Sequence, residues 1–212
     1  MPKAILFDLD GTLTDSGEGI INCAAIALEH FGITPPARDK MRVFVGPPLR
    51  DTFYRFGVPK DCLEEAVRVY RERYIPIGLF ENYPYPGIEV LLQKLRDQGN
   101  RLFVATSKPE WMANAVLDRF QLSQYFEIIA GSTMDGSREE KADVIAYLLA
   151  QINDQQEAVM VGDTAFDVIG AAAHKIPTIG VGWGYGAPED LLSAGAVAVA
   201  NTTEELLTQL QK

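Results

Sequence analysis

Residues 4–8 form a short apolar run of strand length, and the period then changes. Ile20, Ala24, Ala27, Leu28 and Phe31 recur at helical spacing across 17–32, and Gly32 ends the run. Two short helical stretches are predicted near 37–45 and 48–56, separated by Gly46-Pro47-Pro48. A longer helix is predicted over 60–75, with Leu63, Ala66, Val67, Tyr70 and Tyr74 on one face and Pro76 and Gly78 beyond its end. No strand pattern occurs between 15 and 82, so this segment reads as a helical bundle of its own.

From residue 87 onward the pattern alternates. Helices are predicted at 87–98, 109–120, 139–151, 164–174, 188–194 and 203–211. Strands are predicted at 101–106, 126–130, 157–162, 177–181 and 196–199. Such alternation implies a parallel sheet covered by helices on both faces, a Rossmann-like α/β core. The first strand belongs to that sheet, which gives a core of residues 1–14 and 83–212 and an inserted α-helical domain of residues 15–82.

Charge narrows the class. With 19 basic and 29 acidic side chains the net charge is −10, which argues against binding a nucleic-acid polymer or an anionic membrane. An anionic substrate would need positive charge supplied locally. Cys23 and Cys62 stand apart, and with only His30 and His174 available a structural zinc site is not expected. Both cysteines read as buried apolar residues in a reduced compartment. No apolar run approaches membrane-spanning length and no signal segment precedes the first strand, so the expected location is the cytoplasm.

The candidate chemistry sits at the ends of predicted strands. Asp8 and Asp10 are two residues apart where the first strand ends, so they can share a face, and Gly11 follows where the backbone must curl. Two neighbouring carboxylates make a site for a cation. A calcium loop also begins Asp-x-Asp, but it needs an entering helix and a third oxygen ligand before its glycine. Thr106 and Ser107 end the second strand, where they are either anion ligands at a helix N-terminus or simply its N-cap before Pro109. Lys141 opens a helix, where it either faces solvent or points at an anion. Asp163 and Asp167 follow Gly162 at another strand end, as an N-cap and an exposed helical residue or as a second carboxylate pair. Gly180-Val-Gly-Trp-Gly-Tyr-Gly186 opens no long helix and is not a dinucleotide fingerprint; it reads as a flexible loop at a strand end.

Taken in order, Asp8-Leu-Asp10-Gly-Thr12, then Thr106-Ser107, then Lys141, then Gly162-Asp163 with Asp167, the chain resembles the haloacid dehalogenase superfamily of aspartate-nucleophile phosphotransferases over essentially its whole length. The helical segment resembles the cap of the phosphoglycolate phosphatase and β-phosphoglucomutase branch. The strings Gly46-Pro-Pro-Leu-Arg50, Ala105-Thr-Ser-Lys-Pro109 and Met134-Asp-Gly-Ser-Arg138 resemble a bacterial 5′-nucleotidase-type subgroup. The resemblance implies a magnesium ion held by Asp8, the Asp10 carbonyl and Asp163, with Asp167 acting directly or through water. It further implies that Asp8 is the nucleophile, that Asp10 is the general acid and base, and that Thr106, Ser107 and Lys141 hold the phosphoryl oxygens. A cap that closes over the site would read the leaving group, with Arg50, beside Gly46, as the candidate substrate contact. The implied function is a phosphatase acting on a small phosphorylated metabolite, nucleoside monophosphates first. Phosphoglycolate hydrolysis and a sugar-phosphate mutase are the alternatives. A dehalogenase is disfavoured because Asp10 is present, and a non-catalytic protein because the whole set is intact.

Overall fold

The computed structural model describes residues 3–152 and 157–211. The chain divides into two compact units, Met1–Thr14 with Pro84–Lys212 and Asp15–Tyr83.

The first unit is built on a six-stranded parallel sheet. Its strands are β1 (Ala4–Phe7), β2 (Arg101–Pro109), β3 (Ile128–Ser132), β4 (Ala158–Gly162), β5 (Thr178–Val181) and β6 (Ala198–Ala200), in the order β3-β2-β1-β4-β5-β6. All four residues of β1 are buried, as a central strand covered on both faces requires. In register, Phe7 lies between Val104 of β2 and Val161 of β4. Ala4 and Leu6 face a cluster with Phe103, Ala105 and Met160, completed by Val144, Ile145 and Leu148 of α7 (Lys141–Gln151) and Ala171 of α8 (Ala165–Ala172). Leu191 of α9 (Pro188–Ala194) packs on Val168 of α8. Helices α5 (Ile88–Asp97) and α10 (Thr203–Leu210) pack on each other and on β2 and β6. Helix α6 (Glu110–Arg119) connects β2 to β3.

The strand expected at 101–106 continues to Pro109. The residue before a proline is driven to extended backbone, so Lys108 prolongs the strand and the helix starts only at Glu110. The register with β3 shifts between Ala105 and Pro109.

The second unit holds α1 (Gly17–His30), the short α2 (Arg38–Met41), α3 (Leu49–Arg55) and α4 (Leu63–Tyr74). Its core is aromatic. Phe44 contacts Phe53 and Phe56, and Phe53 contacts Tyr70, which stacks on Tyr74. A side chain at Gly19 would place its Cβ 1.9 Å from the Gly78 carbonyl oxygen, so glycine there lets α1 approach that backbone. Arg73 and Glu81 form a two-pronged ion pair at 2.7 and 2.8 Å. The helices expected at 37–45 and 60–75 are each part single-turn 3-10 helix, at Arg42–Phe44 and Lys60–Cys62. Cys23 is buried as expected, whereas Cys62 is half-exposed at a helix start. Among the described residues no helix is long and apolar enough to cross a membrane.

Candidate active site

Asp8 stands one residue past β1, and Asp163 one residue past β4. These strands are neighbours, and the Asp8 N–H donates to the Val161 carbonyl at 2.9 Å. The strand order reverses at this point, where open α/β sheets leave a crevice at their carboxyl ends. Sequence-distant carboxylates therefore meet because two adjacent strands stop at the same level.

Asp163 is fully buried and held from two sides. Its Oδ1 accepts from the Thr12 hydroxyl at 3.2 Å, and its Oδ2 from the Tyr185 N–H at 2.8 Å. Gly11 has φ +87° and passes so close that a Cβ there would lie 2.1 Å from Asp163 Oδ2. A Cβ on Gly184 would lie 2.3 Å from the Asp163 Cβ. The Trp183 indole N–H donates to the Thr12 carbonyl at 3.1 Å. The glycine-rich stretch expected to be a flexible loop is thus tied down, and its glycines make room around one carboxylate.

Asp167 is buried rather than an exposed helical residue, and Thr164, not Asp163, is the N-cap of α8. Asp167 Oδ2 accepts from the Thr164 N–H and hydroxyl, each at 3.0 Å, the backbone half of a capping box. Its Oδ1 lies 2.8 Å from Lys141 Nζ. Lys141, the first residue of α7, is buried too; Nζ lies 2.8 Å from Asp8 Oδ1 and donates to the Ala105 carbonyl at 3.0 Å. Its stem crosses α8 at Gly170, where a Cβ would come within 2.6 Å of it. The solvent-facing alternative for Lys141 is excluded, and the anions it meets here are Asp8 and Asp167.

Carboxylate oxygens of Asp8, Asp163 and Asp167 all lie within 4.8 Å of one another. Asp10 stands apart, its carboxylate bonded by Lys108 at 2.9 and 3.0 Å. Four carboxylates facing two ammonium groups leave a formal charge of −2, which one divalent cation would cancel. An all-oxygen donor set of this kind suits magnesium. Asp8, Asp163 and Asp167 fit the ion, with Asp167 the most committed to protein partners.

Burial above all, opposed by Lys141 and aided by Asp167 and Asp10, leaves the Asp8 carboxyl raised to about 6. Burial, then Asp167 and Asp8, push Asp163 well above the usual carboxylate range. For Lys141 burial disfavours the charged form, but Asp167 and Asp8 outweigh it and the ammonium is held above its ordinary value. A carboxyl raised in the folded state stabilises the fold fully below its unfolded value of 3.8, and that contribution is lost as pH rises through about 6. Magnesium should therefore raise the melting temperature much more at about pH 7.5 than at about pH 5, by the equivalent of roughly 2.7 kcal/mol at a hundredfold excess over its Kd. Differential scanning fluorimetry with and without EDTA at both pH values checks this; equal shifts would contradict it.

Thr106 is buried and stands in β2, its hydroxyl accepting from the Lys108 N–H at 3.2 Å. Neither Thr106 nor Ser107 caps α6, because Pro109 occupies that position. The Ser107 carbonyl accepts from the Ser132 hydroxyl at 2.8 Å. In the second unit Gly46 is exposed with φ +102°, and Arg50 is exposed and ion-paired with Glu64. Lys108, Thr12 and Thr164 had no role assigned from the sequence, and the 180–186 loop was placed at a strand end, where ligands of such sheets bind, without a role for Trp183 or Tyr185. The proline after Lys108 signalled the longer strand but not the pairing of Lys108 with Asp10.

Residues 5–181 match the model of the haloacid dehalogenase-like hydrolases. The tyrosine-protein kinase PtkA of Mycobacterium tuberculosis is 46% identical over 97% of this chain and 71% of its own length. A 5′-nucleotidase of Pseudomonas aeruginosa is 40% identical over 88% of this chain and 86% of its own. The crystal structure of a predicted phosphatase from Clostridium acetobutylicum is 40% identical, with a TM-score of 0.94 over 100% of this chain and 99% of that one. With its central strand ending at Asp8, its reversal-point carboxylates and this match over most of its length, the chain belongs to the haloacid dehalogenase-like hydrolases.

Proposed function

We propose that this protein is a magnesium-dependent phosphatase that hydrolyses a small phosphate monoester, a nucleoside monophosphate by preference, in the cytoplasm. The observation that carries the reading is the buried group of Asp8, Asp163 and Asp167 around Lys141 at the point where the strand order reverses.

Asp8 attacks phosphorus, forming an aspartyl phosphate as the ester oxygen departs. Asp10 gives that oxygen a proton and then takes one from the water that attacks the aspartyl phosphate. Lys141, beside Asp8, supplies fixed positive charge where negative charge gathers on the phosphoryl oxygens, and Thr106 and Ser107 hold those oxygens. A bound magnesium ion would lower the repulsion between a phosphate dianion and these carboxylates. Asp163, fixed by Thr12 and Tyr185, and Asp167, fixed by Thr164, hold their carboxylates in place without rearrangement.

The nucleotide preference is supported by the likeness to a 5′-nucleotidase. The helical unit is assigned the reading of the leaving group. Arg50→Ala should raise KM, or reorder the preference among esters, with little change in kcat on a small aryl ester. Unchanged kinetics on every ester would remove Arg50 from the site.

A second reading comes from the likeness to a tyrosine-protein kinase. An aspartyl phosphate can pass its phosphoryl group to a hydroxyl instead of to water. Phosphate release should be measured from nucleoside monophosphates, phosphoglycolate, sugar phosphates and pyrophosphate, with magnesium and with EDTA. A parallel arm would offer ATP and a tyrosine peptide. Turnover of an ester in the first arm supports hydrolysis; phosphopeptide alone would overturn it in favour of the kinase reading.

A further inference from the structure

β1 delivers two carboxylates, and the fold separates them. Asp8 is tied to β4 by its N–H and to Lys141 by its carboxylate. Asp10 is taken by a residue of β2, the neighbour on the other side of β1. Lys108 Nζ donates to Asp10 Oδ1 at 3.0 Å and Oδ2 at 2.9 Å, with the two side chains 4% and 14% exposed. Burying an ammonium is costly unless it is paired, so Asp10 and Lys108 hold each other in place. The lysine is itself fixed at its backbone, which donates to the Thr106 hydroxyl and is kept extended by Pro109.

We infer that Lys108 is a positioning residue of the reaction, whose ammonium sets the Asp10 carboxyl at the leaving oxygen and apart from the carboxylates of Asp8, Asp163 and Asp167. This rests on the reading of Asp8 as nucleophile and Asp10 as proton donor. In that step a bond forms between an Asp8 oxygen and phosphorus, the phosphorus–ester oxygen bond breaks, and the Asp10 proton passes to the departing oxygen. An ammonium engages one lone pair on each carboxylate oxygen and leaves the other for the proton.

The consequence is a dependence on leaving group. An alkyl phosphate needs a well-placed proton; a nitrophenyl phosphate leaves as the phenolate and does not. In Lys108→Met, kcat/KM should fall on the order of 10²-fold for the alkyl ester and change little for the nitrophenyl ester. The ratio of the two, taken on one preparation, is independent of the fraction folded. Asp10→Asn should show the same selective loss in kcat/KM, which covers only the transfer to Asp8, while its kcat falls on both esters because Asp10 also serves the attacking water. In kcat/KM the double variant should lose no more than Asp10→Asn alone. Lys108→Arg should restore part of the alkyl activity. Equal losses on both esters, no loss on either, or additive losses in the double variant would overturn the inference. The reading beneath it is checked separately in the same experiment: if Asp8→Asn retains turnover, the mechanism fails, whatever Lys108 does.

Discussion

Asp8→Asn is expected to abolish phosphate release, by on the order of 10⁴-fold or more in kcat, while leaving the fold at least as stable as before. On the proposed mechanism the activity falls because an amide cannot replace the attacking carboxylate, and no other carboxylate of the cluster is free to stand in its place. Asp163 is enclosed by Thr12, Tyr185 and two glycines, and Asp167 is spent on Thr164 and Lys141. Stability is kept because the substitution removes one of three mutually repelling buried carboxylates, one whose ionisation burial disfavours, while Lys141 keeps Asp167 and the Ala105 carbonyl as partners. Without magnesium at about pH 7.5 the variant should melt at or above the wild-type temperature. Retained turnover would take the nucleophile away from Asp8. A strongly lowered melting temperature would show that the carboxylate is a structural element.

Lys141→Met has the largest expected effect on stability. It removes the one ammonium that lies against both Asp8 and Asp167 and leaves the Ala105 carbonyl without that donor. Breaking a buried ion pair from one side costs about 3–5 kcal/mol, because the remaining charge stays buried. The carboxyls relieve part of this by protonating, so the loss should be larger at about pH 7.5 than at about pH 5. Urea denaturation at both pH values measures it, and a pH-independent loss would mean that the lysine acts through packing alone. Phosphate release should fall on the order of 10²–10³-fold, the effect of removing one fixed charge from a transition state.

The sheet and its site residues were legible in the sequence to different depths. Short apolar runs ending in Asp8 and in Gly162-Asp163 announced both the strands and the carboxylates, because a strand end, its turn and its polar residue are contiguous in the chain. Lys108 was not legible as a site residue, since its partner lies 98 positions away and only the strand order brings β2 beside β1. The roles of Thr164 and Asp167 were blurred for a different reason. Asp163 and Thr164 are both acceptable N-caps, and only the buried capping bond shows which of them opens α8. Gly11 and Gly184 looked like turn or loop residues and Gly170 lay inside a predicted helix, whereas the smallness of all three serves close approach to Asp163 and Lys141. Such packing reasons depend on tertiary neighbours. The proline after Lys108 was a local signal for the longer β2 and the later start of α6.

The central claim is that a phosphoryl group is carried on Asp8. The direct measurement is an acid quench of the enzyme after mixing with magnesium and an ester labelled in its phosphoryl group, followed by counting label on the protein. Label should appear within one turnover, be released by hydroxylamine as an acyl phosphate must be, map to the peptide containing Asp8, and be absent from Asp8→Asn. Turnover with no protein-bound label at any quench time, or label that persists in Asp8→Asn, would contradict the account.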